Sequence, residues 1–379
     1  MNILNGGVTA PQGFTANGIS SGIKRSGKKD LALIYSQAPA VCVGSFTQNS
    51  IVAAPLIVTK ENLKNNRAQA VVINSGNANC FTGNFGLLYA KKTTELIAKL
   101  LKISSDNVLV ASTGIIGKPL PYIKIQIAAP ALMAGLTKSG GRKAALAILT
   151  TDLKVKESAV AIQLNGKKVI LGAMAKGSGM IAPNMATMLG FINTDAAIDA
   201  KMLKLALKNA VEKSFNSINV DGCMSTNDMV TVMANGLAGN KLITRPGKEF
   251  QIFSEALDYV CLDLAKKIVL DAEGGTKFIE ITVQGAKDKA QAKRVGMAIA
   301  NSNLFKTAAF GSDPNWGRVA AAVGSLGLNV SEKQLKIKFS SFKEKNIDII
   351  VDLNLGSAQA RVYTCDLSLD YVRINGKYN

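Results

Sequence analysis

The 379-residue chain contains no histidine. That absence excludes Ser-His-Asp and Cys-His nucleophilic systems, and zinc sites built on imidazole. Acyl-transfer chemistry in this protein must take its base from a lysine, a carboxylate or a free amine. Aromatic residues are scarce at 6%, which is thin for a surface that stacks nucleic-acid bases. No apolar run approaches the roughly 18 residues that cross a bilayer. The opening Met-Asn-Ile-Leu-Asn-Gly-Gly lacks the basic and apolar regions of a signal peptide, and it is not rich in Arg and Ser as a transit peptide is. Cysteine is confined to Cys42, Cys80, Cys223, Cys261 and Cys365, odd in number, widely spread and without C-x-x-C. Free, mostly buried thiols in a reducing cytosol are expected, so the location expected is cytoplasmic, without membrane contact.

What is present is a large core. Hydrophobic residues make up 47% and charged residues 19%, as in a folded protein of one large or two ordinary domains. The formal charge is +19, from 45 Lys and Arg against 26 Asp and Glu. The lysines fall in scattered pairs such as Lys91-Lys92 and Lys266-Lys267 rather than in one basic tract. They are expected on solvated faces, and no nucleic-acid partner is expected.

Periodicity gives alternating strands and helices. Residues 31–35 and 41–46 read as neighbouring strands, 70–74 and 107–111 as buried strands, and 88–102 as a helix. Residues 122–136 read as helical although Pro130 should break or kink them. Residues 159–164 and 169–171 flank Asn165-Gly166 and read as a hairpin. Asp199 reads as an N-cap for a helix to about 215. A helix over 252–269 faces Leu257, Val260, Cys261, Leu264 and Ile268 inward, with Gly274 and Gly275 as its C-cap signal. Strands are expected at 188–192, 229–233, 278–283, 335–339 and 347–353. The whole reads as an α/β or α+β protein, with no internal repeat and no clear linker.

One stretch organises the rest: Lys176-Gly-Ser-Gly-Met-Ile-Ala-Pro-Asn-Met-Ala-Thr187-Met-Leu. Gly177, Gly179 and Pro183 form a kinked loop that runs into the apolar strand. Thr187 stands at the junction, after Ala186. On pattern alone it fits an ordinary β-branched residue opening a strand. It also fits a nucleophile whose base is its own α-amine, freed by cutting the preceding bond. Ser112-Thr113-Gly114 follows a strand, where backbone N–H groups and a Thr hydroxyl can hold an oxyanion; by itself the segment reads first as a strand-to-helix loop. Residues 75–83, dense in Asn and Gly, read as a sharply turned structural loop. Glu273 lies at a helix C-terminus, the unfavourable end for a carboxylate, and this points to a specific partner such as an ammonium.

The stretch at 176–189 resembles the processing site of the ornithine acetyltransferase family, the glutamate N-acetyltransferases of arginine biosynthesis. The resemblance extends over the whole chain. It includes the openings Gly6-Gly-Val-Thr-Ala-Pro-Gln-Gly-Phe and Gly18-Ile-Ser-Ser-Gly-Ile-Lys, and Asn74-Ser-Gly-Asn-Ala-Asn79. It also includes Thr113-Gly114, Ala272-Glu-Gly-Gly-Thr276, Asp313-Pro-Asn-Trp-Gly-Arg318, here read as a loop wall, and the C-terminus.

The resemblance implies layered sheets sandwiched by helices, as in ornithine acetyltransferases and DmpA-like proteins. It implies a single unit over 1–379 that cuts itself between Ala186 and Thr187 into pieces 1–186 and 187–379, assembled as a heterotetramer of two α and two β pieces. By it, Thr187 carries the acetyl group, Thr113 and Gly114 form the oxyanion hole, and Thr150, Lys176, Thr187, Glu273 and Asn375 bind substrate. The substrates are N2-acetyl-L-ornithine and L-glutamate, with no metal or cofactor. Members with and without use of acetyl-CoA as a donor share these motifs, so that co-substrate stays open, as does a self-cleaving aminopeptidase or amidase of related fold. The chain departs from the family at Cys223 and Met224, where polar residues are common. It also ends at Asn379, one short of a usual Ser or Thr contact.

Overall fold

The computed structural model describes residues 1–182 and 188–376. Ala186, Thr187 and Asn379 lie outside the described residues. Strands β1 (Asn2–Leu4), β2 (Phe14–Ile19) and β3 (Leu31–Phe46) lead to α1 (Ala54–Asn62). Then come β4 (Arg67–Asn77), α2 (Gly83–Leu101), β5 (Val108–Ile115), α3 (Tyr122–Ala134) and α4 (Gly141–Ala147). Strands β6 (Lys156–Leu164) and β7 (Lys167–Lys176) form the expected hairpin. Its turn residues Asn165 and Gly166 have φ of 50° and 75°, the left-handed pair a two-residue type I′ turn needs.

Strand β8 (Leu189–Thr194) precedes α5 (Ala200–Lys213), β9 (Met229–Ala234) and α6 (Lys248–Leu270). Asp199 caps α5 by accepting the Met202 N–H at 2.8 Å. The last third holds β10 (Phe278–Ala286), α7 (Lys289–Ala300), α8 (Asn303–Phe310), α9 (Trp316–Gly324), β11 (Lys336–Phe339), β12 (Asn346–Asp352), β13 (Ala358–Cys365) and α10 (Leu369–Asn375).

Among the described residues the larger sheet has nine strands in the order β1-β6-β7-β8-β9-β3-β4-β5, with β2 on β3. It closes over on itself. Phe14, Ile73 and Leu109 from β2, β4 and β5 share one core with Met174, Phe191 and Met229 from β7, β8 and β9. The outer faces are covered by helices. Ala90 and Ile97 of α2 and Leu132 of α3 pack on Val72 and Val110. Leu203 of α5 and Leu257 and Leu264 of α6 pack on Val160, Leu171 and Ile192. Each such buried Leu, Ile or Phe is worth about 1.5–3 kcal/mol. The layers run helix, sheet, sheet, helix. A four-stranded sheet, β11-β12-β10-β13, packs its own core against α7, α8 and α9.

Several expectations are corrected. The segments at 31–35 and 41–46 are one strand, β3, not two neighbours. Its register on β4 shifts between Tyr35 and Ala40, where residues 36–39, with the donor-less Pro39, bulge out of the ladder. Helix α3 runs through Pro130 and still buries Ala129 and Leu132. Helix α6 ends on Asp271, and Gly274, with φ of 67°, turns the chain three residues later. Trp316 is no loop wall: it opens α9 and is 62% exposed. Not all lysines are solvated either, because Lys156, Lys176 and Lys306 are buried.

Candidate active site

Strands β4 and β5 run parallel past the point where sequence periodicity ends them. Gly76 pairs with Gly114, and the register slips at Asn77. Thr113 and Gly114 therefore stand inside an irregular strand end rather than in a loop beyond it. Gly114 has φ of 133°, and a Cβ there would lie 2.4 Å from the Gly76 carbonyl carbon, so only glycine fits. Side chains brace this end. Asn74 Nδ2 donates to Asn77 O at 2.9 Å, and Ser112 Oγ donates to Asn74 Oδ1 at 2.6 Å. Asn227, from the segment before β9, donates through Nδ2 to Ala78 O at 2.7 Å and to Ser112 O at 2.9 Å. The Asn-rich segment bonds its own backbone, as its composition implies.

A cavity of about 270 Å³ opens here. Thr113, Gly114, Thr150, Lys176, Glu273 and Asn375, six residues singled out from the sequence, all line it. Thr151, Ser225 and Asn227 also line it and were not assigned a role from the sequence. The last two belong to the run Ser225-Thr-Asn-Asp228, which precedes β9.

Lys176 ends β7 and is 2% exposed. Among the described residues its ammonium makes no hydrogen bond, and its nearest anion is Asp152 at 3.9 Å. Burial pushes the ammonium below the ordinary lysine value, with Asp152 opposing and Lys156 assisting. A buried cation with so distant a partner is available to a ligand. Asp152 is held by others: Lys156 Nζ at 2.7 Å, Gly177 N at 2.7 Å and Thr150 N at 3.0 Å. Burial works against its ionisation, but Lys176 and Lys156 outweigh it and keep the carboxyl well below the usual carboxylate range. Lys156 Nζ also meets Asp271 Oδ2 at 2.6 Å, which ties the hairpin to the end of α6.

Glu273 is 8% exposed, and its N–H donates to Ser178 O at 3.0 Å. Its expected ammonium partner is absent among the described residues. The partner seen is an amide, with Asn375 Nδ2 donating to Glu273 Oε2 at 2.8 Å. Asn375 is brought there by α10. Ser368 caps that helix and donates through Oγ to Gly274 O at 2.6 Å, which docks it on the turn after Glu273. Gly179 makes room, since a Cβ on it would sit 2.2 Å from Glu273 Oε2.

Met188, the residue after Thr187, donates its N–H to Asp228 Oδ1 at 2.9 Å. Asp228 is fully buried and was not singled out from the sequence. The roles expected for Ala186 and Thr187 fall outside the described residues.

Comparison with known proteins agrees with this frame. The family model described as the ArgJ family matches residues 15–379. The "Arginine biosynthesis bifunctional protein ArgJ" of Caldanaerobacter subterraneus subsp. tengcongensis is 46% identical over 402 residues, covering all of both chains. The "Glutamate N-acetyltransferase" of Methanocaldococcus jannaschii is 45% identical over 413 residues, again covering both completely. A crystal structure of ornithine acetyltransferase complexed with ornithine, from Mycobacterium tuberculosis, is 38% identical. It covers 48% of this chain and 98% of that one, with a TM-score of 0.46. With a family match over nearly its whole length and full-length relatives at this identity, the chain belongs to the ArgJ family.

Proposed function

We propose that the protein is a glutamate N-acetyltransferase of arginine biosynthesis. It moves acetyl from N2-acetyl-L-ornithine to L-glutamate through an acetyl ester on Thr187, giving L-ornithine and N-acetyl-L-glutamate. The observation that carries this reading is the cavity itself. A buried ammonium, Lys176, and a buried carboxylate, Glu273, face the same space as Thr113 and Gly114. Opposite charges beside an oxyanion-binding strand end suit an amino acid whose acyl group is in transit.

The chemistry follows from the missing histidine. The Thr187 hydroxyl gives its proton to its own α-amine, which has a pKa of about 7.7–8.0 in models, and attacks the acetyl carbonyl. Thr113 and Gly114 hold the oxyanion. Ornithine leaves, glutamate enters, and the second transfer reverses the first. The amine exists only after the Ala186–Thr187 bond is cut. In this reading the same hydroxyl attacks the Ala186 carbonyl, and the resulting ester hydrolyses. The pieces 1–186 and 187–379 stay together, two of each in a cytoplasmic heterotetramer. Acetyl-CoA is a second donor.

The test is acetyl transfer to glutamate, with parallel denaturing gels. Two bands of similar size and ping-pong kinetics are expected, with Thr187→Ala a single inactive 39.9 kDa chain. A whole wild-type chain that transfers acetyl at full rate would overturn the reading. Acetate release independent of glutamate would make the protein an amidase instead.

A further inference from the structure

One carboxylate beside the site has no part in the chemistry above. Asp221 gathers four donors from three segments of the chain. Its Oδ2 accepts from Met180 N at 2.6 Å and from the Tyr371 hydroxyl at 3.3 Å. Its Oδ1 accepts from Ile181 N at 2.9 Å and from Cys223 N at 3.2 Å. Among the described residues no cation pairs with it, so backbone N–H groups and a phenol hold its charge.

Two of these bonds lead into the cavity. Met180 lines it and has φ of 57°, a left-handed conformation that a residue with a side chain adopts only against a steric cost. Nothing local favours that conformation at a methionine, so it depends on the charged acceptor for its N–H. The second bond runs to Glu273. Tyr371 belongs to α10, and Asn375 Nδ2 donates both to Tyr371 O at 3.1 Å and to Glu273 Oε2 at 2.8 Å. Burial and the Asp221 charge push the phenol above its ordinary range, so it remains a donor. The helix sits close on the turn after Glu273, since a Cβ on Gly274 would lie 2.3 Å from Tyr371 N.

The segment that carries Asp221 is anchored away from the cavity. Asn219 N donates to Tyr363 O of β13 at 2.9 Å, and Val220 N donates to Ile181 O at 2.8 Å. Lys306 Nζ, from α8, donates to Val220 O at 2.6 Å. The carboxylate thus stands on the four-stranded sheet and its helices and acts on two parts of the cavity at once. We propose that Asp221 is a positioning residue for acetyl transfer: it holds Met180 in its left-handed turn and, through Tyr371, holds Asn375 against Glu273. It touches no reacting atom. The proposal rests on the acetyl-Thr187 reading and adds that binding of the amino-acid part of both substrates depends on this one side chain, whereas the acyl chemistry at Thr113 and Gly114 does not.

The test is a split between KM and kcat. Tyr371→Phe removes one donor and leaves the three backbone donors paired, while Asp221→Asn leaves one acceptor oxygen where four donors meet. In the purified, full-length protein, KM for N2-acetylornithine and for glutamate should rise about two- to tenfold in Tyr371→Phe and about tenfold or more in Asp221→Asn. At saturation kcat should hold within about threefold, as it does when only binding is lost. A purely structural defect would instead shrink the active fraction and lower kcat at an unchanged KM. In the double variant KM should equal that of Asp221→Asn alone, because Tyr371 acts through Asp221. An unchanged KM in either single variant, a kcat loss without a KM change, or independent effects that multiply in the double variant would overturn the proposal. Should Asp221→Asn stay uncut or unfolded, Tyr371→Phe decides by the same split. A wild-type enzyme that transfers no acetyl would instead strike the acetyl-enzyme reading.

Discussion

Asp228 Oδ1 accepts the Met188 N–H at 2.9 Å, while Asp228 Oδ2 has no partner among the described residues. Thr47 lies beside it, and its hydroxyl donates to Ser225 O at 2.7 Å. Burial pushes the carboxyl well above its ordinary range, against the pull of the Met188 N–H, of Lys176 and of Thr47. A raised carboxyl pKa gives a definite sign. As pH climbs past about 3.9 the unfolded chain ionises first, so stability falls from there up to the folded value. Asp228→Asn keeps the acceptor for Met188 and removes that penalty. Its Tm at pH 7 should equal or exceed the wild-type Tm. Asp228→Ala leaves a buried N–H unpaired and should cost about 1–3 kcal/mol. Thermal unfolding of the three proteins at pH 5 and 8 decides it, and an Asn variant that unfolds as early as the Ala variant would count against a destabilising carboxyl at Asp228.

Gly179→Ala should injure the site without injuring the fold. Its Cβ would fall 2.2 Å from Glu273 Oε2, the flexible end of a side chain, so the carboxylate must move. A displacement of this kind costs on the order of 10²-fold in kcat/KM. Steady-state kinetics beside circular dichroism checks it, and unchanged kinetics would remove Glu273 from substrate binding.

Thr113→Ala should lower kcat on the order of 10²–10³ fold if its hydroxyl is an oxyanion donor. Turnover is compared with wild-type protein in the same state of cleavage at 186–187. A wild-type kcat would leave Thr113 with a structural role only.

Asp152→Asn should destabilise the protein by about 3–5 kcal/mol, because it leaves Lys156 and Lys176 buried with too little negative charge. The depressed Asp152 pKa means that the wild-type contribution is present above the unfolded value and is lost as pH falls towards the folded one. Urea unfolding of both proteins at pH 7 and pH 2 should show the gap narrowing in acid.

Cys223 is the exposed thiol; Cys42, Cys80, Cys261 and Cys365 are buried. One equivalent of a maleimide should react with the native protein and five after unfolding, read by mass spectrometry. Reaction of two or more native thiols would mean that the core opens more readily than this packing allows.

Local patterns were the legible part of the sequence. The Asp199 cap, the Asn165-Gly166 turn and the inward stripe Leu257, Val260, Cys261, Leu264 and Ile268 depend on neighbours within a few residues, and the structure has them. Features set by distant partners were not legible. Strand β5 extends to Ile115 because β4 runs beside it, and no periodicity announces Thr113-Gly114 as a strand. Lys156 is buried because Asp152 and Asp271 meet it from two directions, and Asp271 is remote in the chain. The motif resemblance named residues that line the cavity, yet it was silent on Asp228, whose importance lies in one hydrogen bond to Met188, the residue before β8.

The larger sheet has a consequence for how this protein assembles. Strand β7 lies before residue 187 and β8 after it, and the two are paired from Leu171 with Thr194 to Lys176 with Leu189. Strands β3 and β9 are paired across the same divide. A chain cut at 186–187 is thus two polypeptides sharing one sheet, and each alone would present bare strand edges to solvent. Cut protein should melt in one cooperative step, but its recovery from denaturant becomes a second-order reaction. The yield would fall on dilution, whereas uncut Thr187→Ala would form the same sheet at a rate independent of concentration.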